Sequence, residues 1–86
     1  MKIIVIKGKK NIGKTTTIRH IFETLIDKKA VVKDFEPIGH WYNDFFATLE
    51  YKGKTIVINS LGDLIDTVRG GRKIAIDNNA DILITA

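Results

Sequence analysis

Gly8, Lys9, Lys10, Asn11, Ile12, Gly13, Lys14 and Thr15 form an ungapped G-x-x-x-x-G-K-[ST] pattern, and Thr16 adds a second hydroxyl behind it. This is the chemistry of a phosphate cradle. A triphosphate needs many donors converging on it. Gly8 and Gly13 permit turns that a Cβ would obstruct, so successive backbone N–H groups point inward. A helix beginning near Gly13 adds free N–H groups and the positive end of its dipole. In such a cradle Lys14 reaches the β- and γ-phosphates and so serves catalysis as well as binding. The Thr15 hydroxyl is placed to ligate Mg²⁺. The cradle residues are therefore Gly8 to Thr16.

Other chemistry-bearing residues are scattered further along. Mg²⁺ needs a second ligand beside Thr15. Asn59 ends an apolar segment expected to lie beside the glycine-loop strand, where a carboxylate would serve, and Asp63 follows four residues later. Asp63 reads equally well as a metal ligand acting through water and as a helix N-cap. Asp34, or Glu36, ends another strand-like segment and could orient an attacking water. Arg69 and Arg72 flank Gly70-Gly71 and read as a solvated basic loop, or as a phosphate clamp through their bidentate guanidinium groups. His40, Trp41, Tyr42 and Asn43 read as aromatic cover for a sheet edge, or as a flap that contacts base or substrate.

These residues need elements to hold them. Residues 2–7, with four consecutive apolar positions, read as a strand buried on both faces. Ile18, Ile21, Phe22, Leu25 and Ile26 form a helical stripe over 15–27. Residues 30–33 read as a second strand ending at Asp34. Pro37 and Gly39 then make 35–44 a loop. Residues 45–51 and 54–58 flank Lys52-Gly53 as a hairpin, whose second arm is apolar enough to be central. Asp63 to Arg69 reads as a short helix stopped by Gly70-Gly71, and 72–80 as a second short helix. A last strand opens at Asp81.

The totals narrow the class. The chain has 86 residues, room for one domain with one modest core. It has no cysteine, so neither a disulfide framework nor a thiolate zinc site is available. No apolar run reaches membrane-spanning length, and the first residues lack the zones of a signal peptide. A cytoplasmic location without membrane attachment is expected. The net charge is +4. Lys7, Lys9, Lys10 and Lys14 cluster on the glycine loop, which accounts for the basic patch and disfavours a nucleic-acid partner.

The glycine loop with its leading strand and following helix resembles the P-loop (Walker A) nucleoside triphosphatases, and the resemblance runs through the chain. In Lys9 and Gly13-Lys14-Thr15-Thr16, and in Asp34-Phe35-Glu36-Pro37, it partly resembles the deviant Walker A ATPases. Their signature lysine reaches phosphate across a dimer; Lys10-Asn11 stands where that family has two glycines. Asn59-Ser60-Leu61-Gly62 after the hairpin resembles the D-x-x-G of GTPases, with Asn59 replacing the aspartate. Gly8–Thr16, Ser60–Asp63 and Asp81–Ala86 together most resemble a group of small uncharacterised bacterial P-loop proteins, whose last strand runs on into further chain.

The resemblance implies an α/β, three-layer P-loop NTPase-like fold with a mainly parallel sheet, truncated or minimal. Residues 1–86 would be a single nucleotide-binding domain, the front part of a longer one or a minimal form completed by a homodimer. The expected function is Mg²⁺-dependent binding of a nucleoside triphosphate, ATP before GTP, with slow hydrolysis. The alternatives are a nucleotide or small-molecule kinase, a nucleotide-gated interaction module without turnover, and a GTPase-like switch.

Overall fold

The computed structural model describes residues 1–6, 14–37, 45–60 and 65–85, without the side chains of 14–16 and 65–70. The elements are β1 (Lys2–Val5), α1 (Lys14–Asp27), β2 (Val31–Pro37), β3 (Phe45–Tyr51), β4 (Lys54–Asn59), α2 (Ile65–Asp77) and β5 (Ile82–Thr85). One sheet orders them β1-β5-β4-β3-β2. β1 and β4 flank β5 in parallel, whereas β3 is antiparallel to both β4 and β2.

This arrangement corrects the expected fold. The sheet is mixed, so a three-layer P-loop NTPase-like fold with a mainly parallel sheet is not what the chain forms. The physical reason lies in the connections. Parallel neighbours need a crossover of a dozen residues or more, usually helical, and antiparallel ones need only a turn. Lys52 and Gly53, both at positive φ (50° and 77°), close β3 onto β4 in a primed turn. β2 then joins the outer side of that hairpin.

Residues on alternate sides of β4 and β5 build two cores. Ile56, Ile58 and Ile84 pack with Phe45, Ala47, Leu49 and Ile18 of α1. Val57 and Leu83 point the other way, to Ala75 of α2 and to Ala80. The helical stripe of α1 is largely as expected: Ile18 is fully buried, and Ile21, Phe22 and Leu25 pack around the first core. Ile26 is exposed.

Three further expectations need correction. β1 is an edge strand, and its Ile3 and Val5 are 44% and 51% exposed, because α2 packs over β4 and β5 and stops short of it. β2 does not end at Asp34. Its pairing with β3 runs on to Pro37↔Phe45, with a register shift between Val32 and Asp34. Phe35 is held there by its ring, stacked 5.3 Å from that of Phe45. Proline is tolerated at the end of an edge strand, where no ladder donor is needed.

Nor do Gly70 and Gly71 stop a helix, since α2 runs through them to Asp77. Glycine inside a helix costs about 1 kcal/mol relative to alanine. At Gly71 close packing explains it: a Cβ would lie 2.9 Å from Asn59 Cβ. Both helices end instead in Schellman motifs. Lys29 and Asn79 take positive φ, while the Ala30 and Ala80 amides donate to the Leu25 and Ala75 carbonyls. Neither described helix is long and apolar enough to cross a membrane.

Candidate functional site

β2 runs in the same direction as β4, since each is antiparallel to β3. The carboxyl ends of β1, β5, β4 and β2 therefore share one edge of the sheet with the start of β3. The segments 7–13, 38–44 and 61–64 all leave or enter the described chain at this edge. Ligands of open α/β sheets bind off the carboxyl ends of the parallel strands, where successive helices turn to opposite faces. Here α1 packs on one face, against Ile56 and Ile58, and α2 on the other, against Val57.

The pairing registers line up one row along this edge: Val5, Thr85, Asn59, Phe46 and Glu36. Its centre is polar and buried. Asn59 is 0% exposed and Thr85 8%. Asn59 Nδ2 donates to Thr85 Oγ1 at 3.3 Å. The backbone beside the row is tied down as well. The Ile6 N–H donates to the Thr85 carbonyl at 2.8 Å, fixing the chain directly before the glycine loop. Ser60 Oγ accepts from the Phe45 N–H at 2.8 Å, and the Ser60 N–H donates to the Phe45 carbonyl at 3.1 Å. Ser60 thus joins the residue after segment 38–44 to the residue before 61–64. Removing the buried Ser60 hydroxyl would leave the Phe45 N–H without this acceptor, which costs more than the bond itself contributes.

An aromatic cluster lies on the α1 side of the same edge. The rings of Phe22, Phe35 and Phe45 lie 5.1–5.7 Å apart. The Arg19 guanidinium stands 5.9 Å from the Phe45 ring centroid. This is a cation–π arrangement of the partly buried kind.

The residues expected from sequence fall in three groups. Gly8, Lys9, Lys10, Asn11, Ile12 and Gly13, the His40 to Asn43 segment and Asp63 lie outside the described residues. Lys14, Thr15 and Thr16 open α1 directly after the loop. Asp34 is exposed within β2 and opposite Thr48, two positions short of the edge row. β1 and β2 are the outermost strands, so Asp34 stands about 19 Å across the sheet from the strand that feeds the glycine loop, at roughly 4.8 Å per strand. Glu36 is in the edge row but on the same far strand.

Asn59 does not end the strand beside β1. That place belongs to β5, and Thr85 occupies it. Among the described residues no group of three or more His, Cys, Asp or Glu side chains could hold a metal ion. Arg72 is exposed on α2 rather than in a loop. Thr85 and Gly71 escaped sequence reasoning: only the parallel register and the approach of α2 bring them to Asn59. The one available signal was a glycine that breaks an otherwise helical run.

Compared with protein-family models, with curated proteins and with solved structures, the chain matches none of them.

Proposed function

We propose that the chain binds a nucleoside triphosphate, ATP in preference to GTP, at the carboxyl edge of its parallel strands. One observation carries this reading: the Gly8–Thr16 sequence leaves the end of β1 at that edge and returns as the first turn of α1. A strand, a glycine loop and a helix in that order supply converging backbone donors and a helix N-terminus. Lys14 contributes the charge, and Thr15, with Asp63, holds Mg²⁺. The sheet around the loop is mixed, so the proposal concerns a phosphate-binding loop and not a fold family.

The edge row favours binding with little turnover. Phosphoryl transfer needs a metal and a positioned nucleophile. The two strand ends nearest the loop carry Thr85 and Asn59, both neutral. Asp34, the residue the sequence offered to activate water, is on the far strand. A nucleotide-gated interaction module therefore fits better than an ATPase or a kinase.

Titration calorimetry with ATP and GTP, with and without Mg²⁺, tests the reading. Lys14→Ala should weaken ATP binding by roughly ten- to a hundredfold, the worth of one charge-assisted hydrogen bond. Equal affinity in wild type and Lys14→Ala would refute it. Turnover that rises on adding a phosphate acceptor would restore the kinase alternative.

A further inference from the structure

The edge row continues beyond the sheet into α2. Ile6, the last described residue before the glycine loop, hangs by its N–H from the Thr85 carbonyl. The Thr85 hydroxyl accepts from the Asn59 amide. On its other side Asn59 is met by Gly71, where an added Cβ would stand 2.9 Å from Asn59 Cβ and from Nδ2. That is closer than real Cβ atoms approach, and the first of those atoms cannot swing aside. Thr85, Asn59 and Gly71 are buried. The contacts form one continuous path from α2 to the residue that launches the loop.

We propose that Asn59 is a positioning residue of the nucleotide site: locked by Gly71 of α2, it holds Thr85, and through Thr85 the end of β1. The inference rests on the nucleotide-binding reading above and names the residues that set its affinity from outside the glycine motif. Asn59 touches no phosphate in this account. A neutral amide suits the place because it donates to Thr85 without the cost of a buried charge.

The test measures ATP affinity and melting temperature together in wild type, Gly71→Ala, Asn59→Ala, the Asn59→Ala/Gly71→Ala pair and Val57→Ala. Val57 lies in the same β4–α2 interface but outside the row, so its variant loses stability without touching the path. Gly71→Ala and Asn59→Ala should each weaken ATP binding about tenfold, and the pair should stay within about threefold of either single variant, because both interrupt one path. Val57→Ala should melt earlier and keep its affinity within about twofold, since the two sites are independent.

Affinity that merely follows melting temperature through all the variants would overturn the proposal, because that is how a purely structural contact behaves. Should Gly71→Ala not fold, Thr85→Val decides. It keeps the shape and removes the acceptor, and unchanged ATP affinity in it would overturn the path. Absence of ATP binding by wild type itself would sink the nucleotide reading, and this inference with it. Binding by wild type with no response in Gly71→Ala or Thr85→Val would sink the inference alone.

Discussion

β3 and β4 are joined by pairings that begin at a tight turn, Tyr51 with Lys54, and β2 is joined to β3 across segment 38–44, Pro37 with Phe45. β1, β5 and β4 are joined by pairings between segments further apart in the chain, Lys2 with Ile82 and Ile56 with Ile82. The first group closes small loops and loses little chain entropy for each contact; the second must hold distant segments before it gains anything. Their polar groups differ in the same way. At the hairpin end Tyr51 and the lysines lie at or near the surface, whereas the carboxyl edge of the parallel group buries Asn59 and Thr85. The antiparallel half is a scaffold that assembles locally. The parallel half spends stability on a polar row beside the loop that carries the proposed function.

β4 belongs to both halves, and Ile58 is the residue to remove. It is fully buried and pairs with Ala47 on one side and Ile84 on the other. Ile58→Ala should lose about 2–5 kcal/mol in denaturant unfolding, the usual range for truncating a buried aliphatic side chain. Denaturant unfolding followed by far-ultraviolet dichroism should still show one transition. Two separate transitions would show that the halves are independent, and the comparison would become one between domains.

Asp81 gives a smaller effect and a sharper one. Its carboxylate accepts from the Thr55 N–H, its own N–H donates to the Thr55 carbonyl, and its carbonyl accepts from Lys2. It clasps the amino ends of the parallel strands, opposite the proposed site. Asp81→Ala should cost about 1 kcal/mol in thermal unfolding, the typical net worth of one hydrogen bond. ATP affinity should stay unchanged, and a parallel loss of affinity would mean that the two ends of the sheet are not separate in function.

The smallest expected change is a gain. Lys52 holds a left-handed conformation in the hairpin turn, φ 50°, where asparagine is more at ease. Lys52→Asn should add roughly 0.5 kcal/mol to stability in chemical denaturation, without effect on ligand. A loss of stability would mean that the Lys52 ammonium, 5.3 Å from the Tyr51 ring, outweighs the backbone strain.

The same division decides what could be read from the sequence. The hairpin, its turn and the central position of β4 were legible, because Lys52-Gly53 and the alternation around it are local signals. Helix α1 was legible from its stripe, down to the burial of Ile18. The neighbours of β1 were not, since nothing within residues 2–7 says that β5 rather than β4 will lie beside it. Gly70-Gly71 looked like a stop because helix propensity sees the glycine and not Asn59 above it. Pro37 looked like a loop because its tolerance depends on being at an edge. The glycine motif was legible at once, being a matter of spacing. The row at the end of β1, by contrast, depends on register and was hidden.

The most direct test of the central claim is residue-resolved: backbone amide shifts of the labelled protein during titration with Mg²⁺ and ATP. The account predicts movement at Ile6, Asn59, Thr85 and the first turn of α1, with Lys52, Gly53, Thr55 and Asp81 unmoved at the opposite edge. Saturable shifts centred on Lys52 to Thr55 and Asp81, or none anywhere at millimolar ATP, would contradict it.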